Sequence, residues 1–228
     1  GDPADNEIET IVFASTGNAT DFGDLTATSK TGTGLANATR GIAYLANGDV
    51  INYVTMAATG TAVDFGNASF SSGTQGMGCA SPIRGVFGGV FESPATLNTL
   101  DFITIATTGN SLDFGDLSTK KFGGSGASNA TRGVFMNGYV APANVNNIEY
   151  ITISTLGNSV EFGDSTQANS YTAGSASATR MISGGGGGPI TNIIDYVEIP
   201  TTGNAQDFGD LTQKRRHLES CSNGHGGL

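Results

Sequence analysis

One ten-residue phrase occurs five times along the chain. It reads TGNATDFGDL ending at Leu25, TGTAVDFGNA at Ala68, TGNSLDFGDL at Leu117, LGNSVEFGDS at Ser165 and TGNAQDFGDL at Leu211. The aromatic anchors Phe22, Phe65, Phe114, Phe162 and Phe208 fall at intervals of 43, 49, 48 and 46 residues. A unit of that size is too short to bury a core alone and must lean on its neighbours. The repeat therefore calls for a ring or a stack of similar units.

Each period carries two further phrases. Twelve residues before the anchor stand IETIVF, INYVTM, LDFITI, IEYITI and IDYVEI, around Thr10, Tyr53, Phe102, Tyr150 and Tyr196. Their apolar alternation is that of a half-buried strand. Eighteen or nineteen residues after the anchor come ATRGIAY, SPIRGVFGG, ATRGVFMNG and ATRMISGG, with Arg40, Arg84, Arg132 and Arg180. Between anchor and arginine lie small residues, such as GGSGASN at 123–129, which suit an innermost strand crowded about a narrow axis. Four short strands per period of 45 to 50 residues is the signature of a propeller blade.

The reading is thus an all-β, five-bladed β-propeller with four antiparallel strands per blade, one domain over 1–228. The blades are expected at 26–69, 70–117, 118–165 and 166–211, with a composite blade of 212–228 plus 1–25. The chain opens in a third strand and ends in a second one, with Gly226 where an arginine is expected, so head and tail are expected to share a sheet. A β-solenoid of hairpin pairs is the alternative. Composition agrees with short strands and tight turns: 35 glycines, no tryptophan, and 13% charged residues against about 25% in ordinary domains. The net charge of −10 argues against nucleic acid, which needs clustered cations. No apolar run long enough to insert in a membrane occurs.

A strand ending in Gly88 and Gly89, a Tyr-centred strand, and a turn into an aromatic-anchored strand resemble the kelch repeat, with Phe where kelch proteins commonly carry Trp. A closer resemblance, over nearly the whole chain, is to repeat-rich tail-fibre-like proteins of marine cyanobacterial phages, through the runs at 105–117, 128–135 and 220–228. That resemblance implies a virion or extracellular part, perched among other virion proteins or against a host surface glycan. Asn67, Glu161 and Gly226 depart from the repeat.

The DFGD phrase brings two acids per repeat, with Asn67 the exception. A ring of metal sites is one reading, but D-x-x-D lacks the dense acidic spacing of a calcium loop. Architecture is preferred: one acid of each phrase pairs with a repeat arginine, whose planar fork suits carboxylate, and accepts turn amides. No kinase Gly-rich loop accompanies the DFG string. Cys79 and Cys221 occupy equivalent positions in different inner strands, so free buried thiols are expected rather than a disulfide. His217 and His225 have no triad or zinc context, and the Gly184–Gly188 run opens no helix to hold phosphate. No metal, cofactor or catalytic residue is proposed from these patterns.

The connections between second and third strands vary in length, and variable loops on a rigid frame are the usual place for recognition. They bring forward Asp49, Phe91, Glu92, Tyr139, Asn144 and Asn146, joined by Phe122, Tyr171 and His217 at the entries to inner strands. Aromatic residues there would stack on sugars. Three functions follow in order: a non-enzymatic virion structural or host-adhesion module, a secreted carbohydrate-binding propeller, and a five-bladed glycosidase, which needs paired acids near the axis.

Overall fold

A computed structural model describes residues 4–46, 48–71 and 73–222. Every element in it is a β-strand. A hairpin, β1 (Asp5–Thr10) with β2 (Thr20–Ser29), precedes a sheet of β3 (Gly32–Ala36), β4 (Arg40–Leu45), β5 (Val50–Thr55) and β6 (Val63–Asn67). The second sheet holds β7 (Met77–Ala80) and β8 (Arg84–Gly88). A small hairpin, β9 (Phe91–Glu92) with β10 (Ala95–Thr96), leads on to β11 (Thr99–Thr104) and β12 (Leu112–Asp116). The third contains β13 (Ser125–Ser128), β14 (Arg132–Val140), β15 (Ala143–Thr152) and β16 (Val160–Asn169). The fourth contains β17 (Ala173–Ala176), β18 (Arg180–Gly184), β19 (Ile193–Glu198) and β20 (Gln206–Asp210). Each sheet is an antiparallel meander in chain order, so the small-residue strand is innermost and the DFGD strand outermost. This is a β-propeller arrangement of four complete blades.

Five blades were expected, and the count is corrected to four. β1 pairs only with β2, and residues 211–222 form no strand, so head and tail do not share a sheet among the described residues. Gly226, His225 and the rest of 223–228, which the composite blade needs, lie outside the described residues.

The seams between blades repeat one set of contacts. The turn of each following repeat donates to the preceding DFGD strand: Gly60 N to Phe22 O (2.7 Å), Gly109 N to Phe65 O (2.7 Å), Gly157 N to Phe114 O (2.8 Å) and Gly203 N to Phe162 O (2.8 Å). The DFGD glycine makes this possible, because a Cβ on Gly23, Gly66, Gly115 or Gly163 would collide with the neighbouring carbonyl. The hydroxyl residue after each phrase is then latched to a polar residue of the next blade's third strand. Thr26 N and Oγ1 donate to Asn52 Oδ1 (2.8 and 2.9 Å), and Ser69 N and Oγ to Asp101 (2.8 Å each). Ser118 N donates to Glu149 (2.8 Å), and Thr166 N and Oγ1 to Asp195 (3.0 and 2.6 Å). Burial makes each latch strong, since water cannot replace a lost partner.

The arginines do not pair with the DFGD acids, which corrects that expectation. Arg40 Nη1 donates to Ile105 O (2.7 Å), Arg84 to Ile153 O (3.1 Å) and Arg132 to Ile199 O (2.8 Å), each crossing to the next blade. Each guanidinium also lies over the ring of its own third strand, 4.3 to 4.9 Å from the centroids of Tyr53, Phe102, Tyr150 and Tyr196. A carbonyl with a spare lone pair and an aromatic face satisfy the guanidinium without a buried countercharge. The turn-amide half of the expectation holds: Asp64, Asp113 and Asp207 accept from the amides of Gly66, Gly115 and Gly209 (3.1, 3.0 and 2.9 Å).

The last seam position differs. Phe208 is 53% exposed, whereas Phe22, Phe65, Phe114 and Phe162 are buried. Arg180 turns instead to Glu198, 2.6 Å away on the surface. At the other end of the ring Phe13, the repeat equivalent of buried Ile105, Ile153 and Ile199, is exposed as well.

Candidate ligand-binding face

The inner strands start at one end of the ring, and their entries have an unusual backbone. Gln75, Gly123, Tyr171 and His217 occupy equivalent repeat positions with φ of 58°, 65°, 57° and 55°. Left-handed geometry is costly for side chains as large as Tyr, and such strain persists only where surrounding structure holds it. Here a run of main-chain bonds does so. Gly123 N donates to Gln75 O (2.8 Å), Tyr171 N to Gly123 O, and His217 N to Tyr171 O (3.1 Å).

His217 thus takes the next place in the succession, and the chain beyond it follows the innermost tier. Ser222 Oγ donates to Ala176 O (2.9 Å), as Ser128 Oγ does to Ala80 O (2.6 Å) at the equivalent position. Ser220 Oγ donates to Gly174 O (2.7 Å). Residues 217–222 are therefore docked along β17 as an inner-strand segment without a sheet of their own.

A cavity of about 260 Å³ opens among these entries. Gly32, Gly76, Gly123 and Gly124 give it walls of backbone, and Lys30, Gln75, Tyr171, Thr172, His217 and Glu219 supply its side chains. All five repeats contribute. Thr172 is 7% exposed, and its Oγ1 has no hydrogen-bond partner among the described residues. Partial burial and the neighbouring Arg216 charge hold the His217 imidazole below its ordinary range, which favours the neutral ring at pH 7.

Five of the sequence-selected residues come together beside the cavity. Ring centroids run Phe91 to Phe122 (5.2 Å), Phe122 to Tyr139 (5.5 Å), Phe122 to Tyr171 (6.4 Å) and Tyr171 to His217 (4.4 Å). Phe122 is buried and braces the belt, while His217 is exposed. The other four selections are occupied structurally. Asp49 accepts from Asn67 Nδ2 (3.0 Å), and Glu92 accepts from Ser71 N (3.2 Å) and Oγ (2.8 Å). Asn144 donates to Gly187 O (2.7 Å), strapping the third blade to the fourth, and the Asn146 carbonyl accepts from Ser165 Oγ (3.2 Å).

Sequence reasoning missed Lys30, Gln75, Thr172 and Glu219 in the cavity. Their common signal was available: each lies within two residues of the repeat position held by Tyr171. It also missed Lys121, wholly buried with Nζ 3.2 Å from Glu149 Oε1. Burial pulls the Lys121 ammonium below its ordinary range, opposed by the Glu149 charge. The thiols are free as expected, but only Cys79 is buried, its pKa pushed up to about 12 by desolvation, while Cys221 is exposed. No metal-ligating cluster of His, Cys, Asp and Glu occurs among the described residues. No protein-family model matches the chain, and no curated protein matches it in sequence.

Proposed function

We propose that the protein is a non-enzymatic adhesion module, a rigid ring that turns the mouth of its axis toward a glycan on a host surface and is carried by other virion proteins. The observation behind this reading is the aromatic belt from Phe91 to His217, braced by main-chain bonds from blade to blade beside a glycine-walled cavity. A concave site that sets polar side chains beside rigid rings is suited to a sugar, whose C–H faces pack on aromatics while its hydroxyls seek the polar edge. The repeat carboxylates stand on outermost strands around the rim, an arrangement that favours binding over paired-acid hydrolysis. The likeness to phage tail-fibre-like repeats provides the virion context.

The same reading has the β1–β2 hairpin close the ring against the fourth blade. The β1–β2 hairpin carries a full half-seam, with Gly17, Phe13 and Glu9 at the positions of Gly60, Ile105 and Asn52. The fourth blade carries the complementary half, with Phe208, Arg180 and Thr212. Residues 217–222, docked along β17, supply an inner-strand segment on that side.

The test is direct. Fluorescently labelled protein should adsorb to host cells and lose that adsorption when Tyr171 and His217 are both changed to Ala. Adsorption that survives both changes places recognition elsewhere. Cryo-EM of intact particles should show the ring at a distal position, and its absence from every particle map removes the virion reading.

A further inference from the structure

The chain has ten Lys and Arg residues against twenty acids, and their placement is uneven. Arg40, Arg84 and Arg132 are committed to the seams, Arg180 pairs with Glu198, and Lys121 is sealed against Glu149. The remaining five, Lys30, Lys120, Lys214, Arg215 and Arg216, are all exposed. Every one lies within the three residues leading into the repeat position held by Thr31, Gln75, Gly123, Tyr171 and His217, so all five gather at one end of the inner strands. Lys30 lines the cavity. Arg216 immediately precedes His217 and packs so closely on Gly187 that a Cβ there would meet its Cδ at 3.0 Å. Lys30 and Arg216 hold equivalent repeat positions, and neither has a hydrogen bond or ion pair among the described residues. Of the acids, nine are on the DFGD strands, Asp101, Glu149 and Asp195 are closed into latches, and Asp49 and Glu92, on the loops between second and third strands, are held by Asn67 and Ser71. Among the described residues Glu219 is the one carboxylate lining the cavity.

From this placement we propose that the axial cavity binds an acidic sugar residue, its carboxylate or sulfate held between Lys30 and Arg216 and its ring laid against His217, with the Thr172 hydroxyl taking a ring hydroxyl. A protein of net charge −10 repels polyanions in general, so a cationic mouth acts locally and at short range, within about a Debye length of 8 Å at physiological salt. Arg suits the oxyanion by its fork, and Lys30 supplies a second point charge. The buried hydroxyl of Thr172 gains a hydrogen bond that none of the described residues offers it. Glu219 opposes the anion and accepts a sugar hydroxyl instead. The inference rests on the adhesion reading and names the ligand class that it leaves open.

The experiment is biolayer interferometry of the full chain against three immobilised polymers: alginate for carboxylate, dextran sulfate for sulfate, and dextran as the neutral control. Wild type should bind one or both anionic polymers and not dextran, and lose affinity as salt rises. Lys30→Ala with Arg216→Ala should weaken binding at least about tenfold, through the lost charge-assisted contacts. Thr172→Val, which keeps shape, should weaken it roughly threefold, and Glu219→Gln should strengthen it. Unchanged melting temperatures would show that the variants fold. Equal binding to dextran, or charge variants that bind as wild type does, overturns the acidic ligand while leaving adhesion standing. No binding to any of the three polymers also overturns it. If cell adsorption fails as well, the adhesion reading falls with it.

Discussion

Asp101 offers the sharpest test of how the blades are joined. Its carboxylate is fully buried and accepts Ser69 N and Ser69 Oγ at 2.8 Å, and Ser111 Oγ from its own blade's turn. Asp101→Ala would leave these donors facing a small apolar void that water does not enter readily. Hydrogen bonds to a charged acceptor are worth about 1.5–3 kcal/mol each and do not add fully, so a loss near 4 kcal/mol is expected. In a chain of this length that lowers Tm by roughly 8–16 °C. The protein carries its own control at the preceding seam, where Asn52, equally buried, accepts Thr26 N and Oγ1 through one oxygen. Asp101→Asn should therefore keep two of the three bonds and cost only about 1 kcal/mol, or roughly 2–4 °C. Differential scanning calorimetry of wild type, both variants and Ser69→Ala at pH 7 reads the order. If Asp101→Asn falls as far as Asp101→Ala, or if Asp101→Ala moves Tm by less than about 2 °C, the latch does not hold the seam.

Four further outcomes are expected. Arg132→Ala, which loses Ile199 O and the Tyr150 face, should cost about 2 kcal/mol by denaturant unfolding, while Arg180→Ala, removing an exposed pair with Glu198 and the Tyr196 face but no seam carbonyl, should cost about 1 kcal/mol. In a Cys221→Ser background, Asn18→Cys with Asp210→Cys should form an intramolecular disulfide, as the directly bonded pair Asp164→Cys with Asn204→Cys should; a crosslinked dimer, or bonding in the control alone, refutes closure by the chain's own hairpin. Burial alone would raise the Glu149 carboxyl, but Lys121 beside it and bonds from Ser159 and Ser118 outweigh this and hold it below the ordinary range. A depressed carboxyl stabilises above the unfolded value of about 4.3 and loses that contribution as pH falls through the folded one, so the Tm gap between wild type and Glu149→Gln should narrow below about pH 4.5. Finally, one thiol, Cys221, should react with Ellman's reagent in the native protein and two in denaturant, because the buried Cys79 thiol stays protonated.

Much of the blade was legible in advance. The order of four strands, the small-residue inner strand and the DFGD outer strand all follow from a period-two pattern repeated with its turns, and the pairings fall where those patterns place them. The arginine contacts were misread because composition presents carboxylates as the obvious partners, whereas the fold brings a bare carbonyl of the next blade nearer. The latch was missed although its letters were visible: a Thr or Ser after each phrase, and Asn, Asp or Glu at one place in each third strand. Nothing local links them, since the partners are 26 to 32 residues apart. Of the candidate face, sequence picked out the aromatics, but not the residues with which they share a cavity.

By itself, the sequence determined the repeating unit, because strand alternation and turn chemistry act over a few residues and need no partner from elsewhere. Only the tertiary structure decided how units meet: which carbonyl each arginine reaches, which seam position stays open at Phe208, and which residues crowd the axis. Those outcomes depend on the angle at which successive sheets pack, and that angle is set by contacts between repeats rather than within them. The gathering of exposed cations at one mouth is of the same kind, for residues more than forty positions apart become neighbours only when inner strands converge.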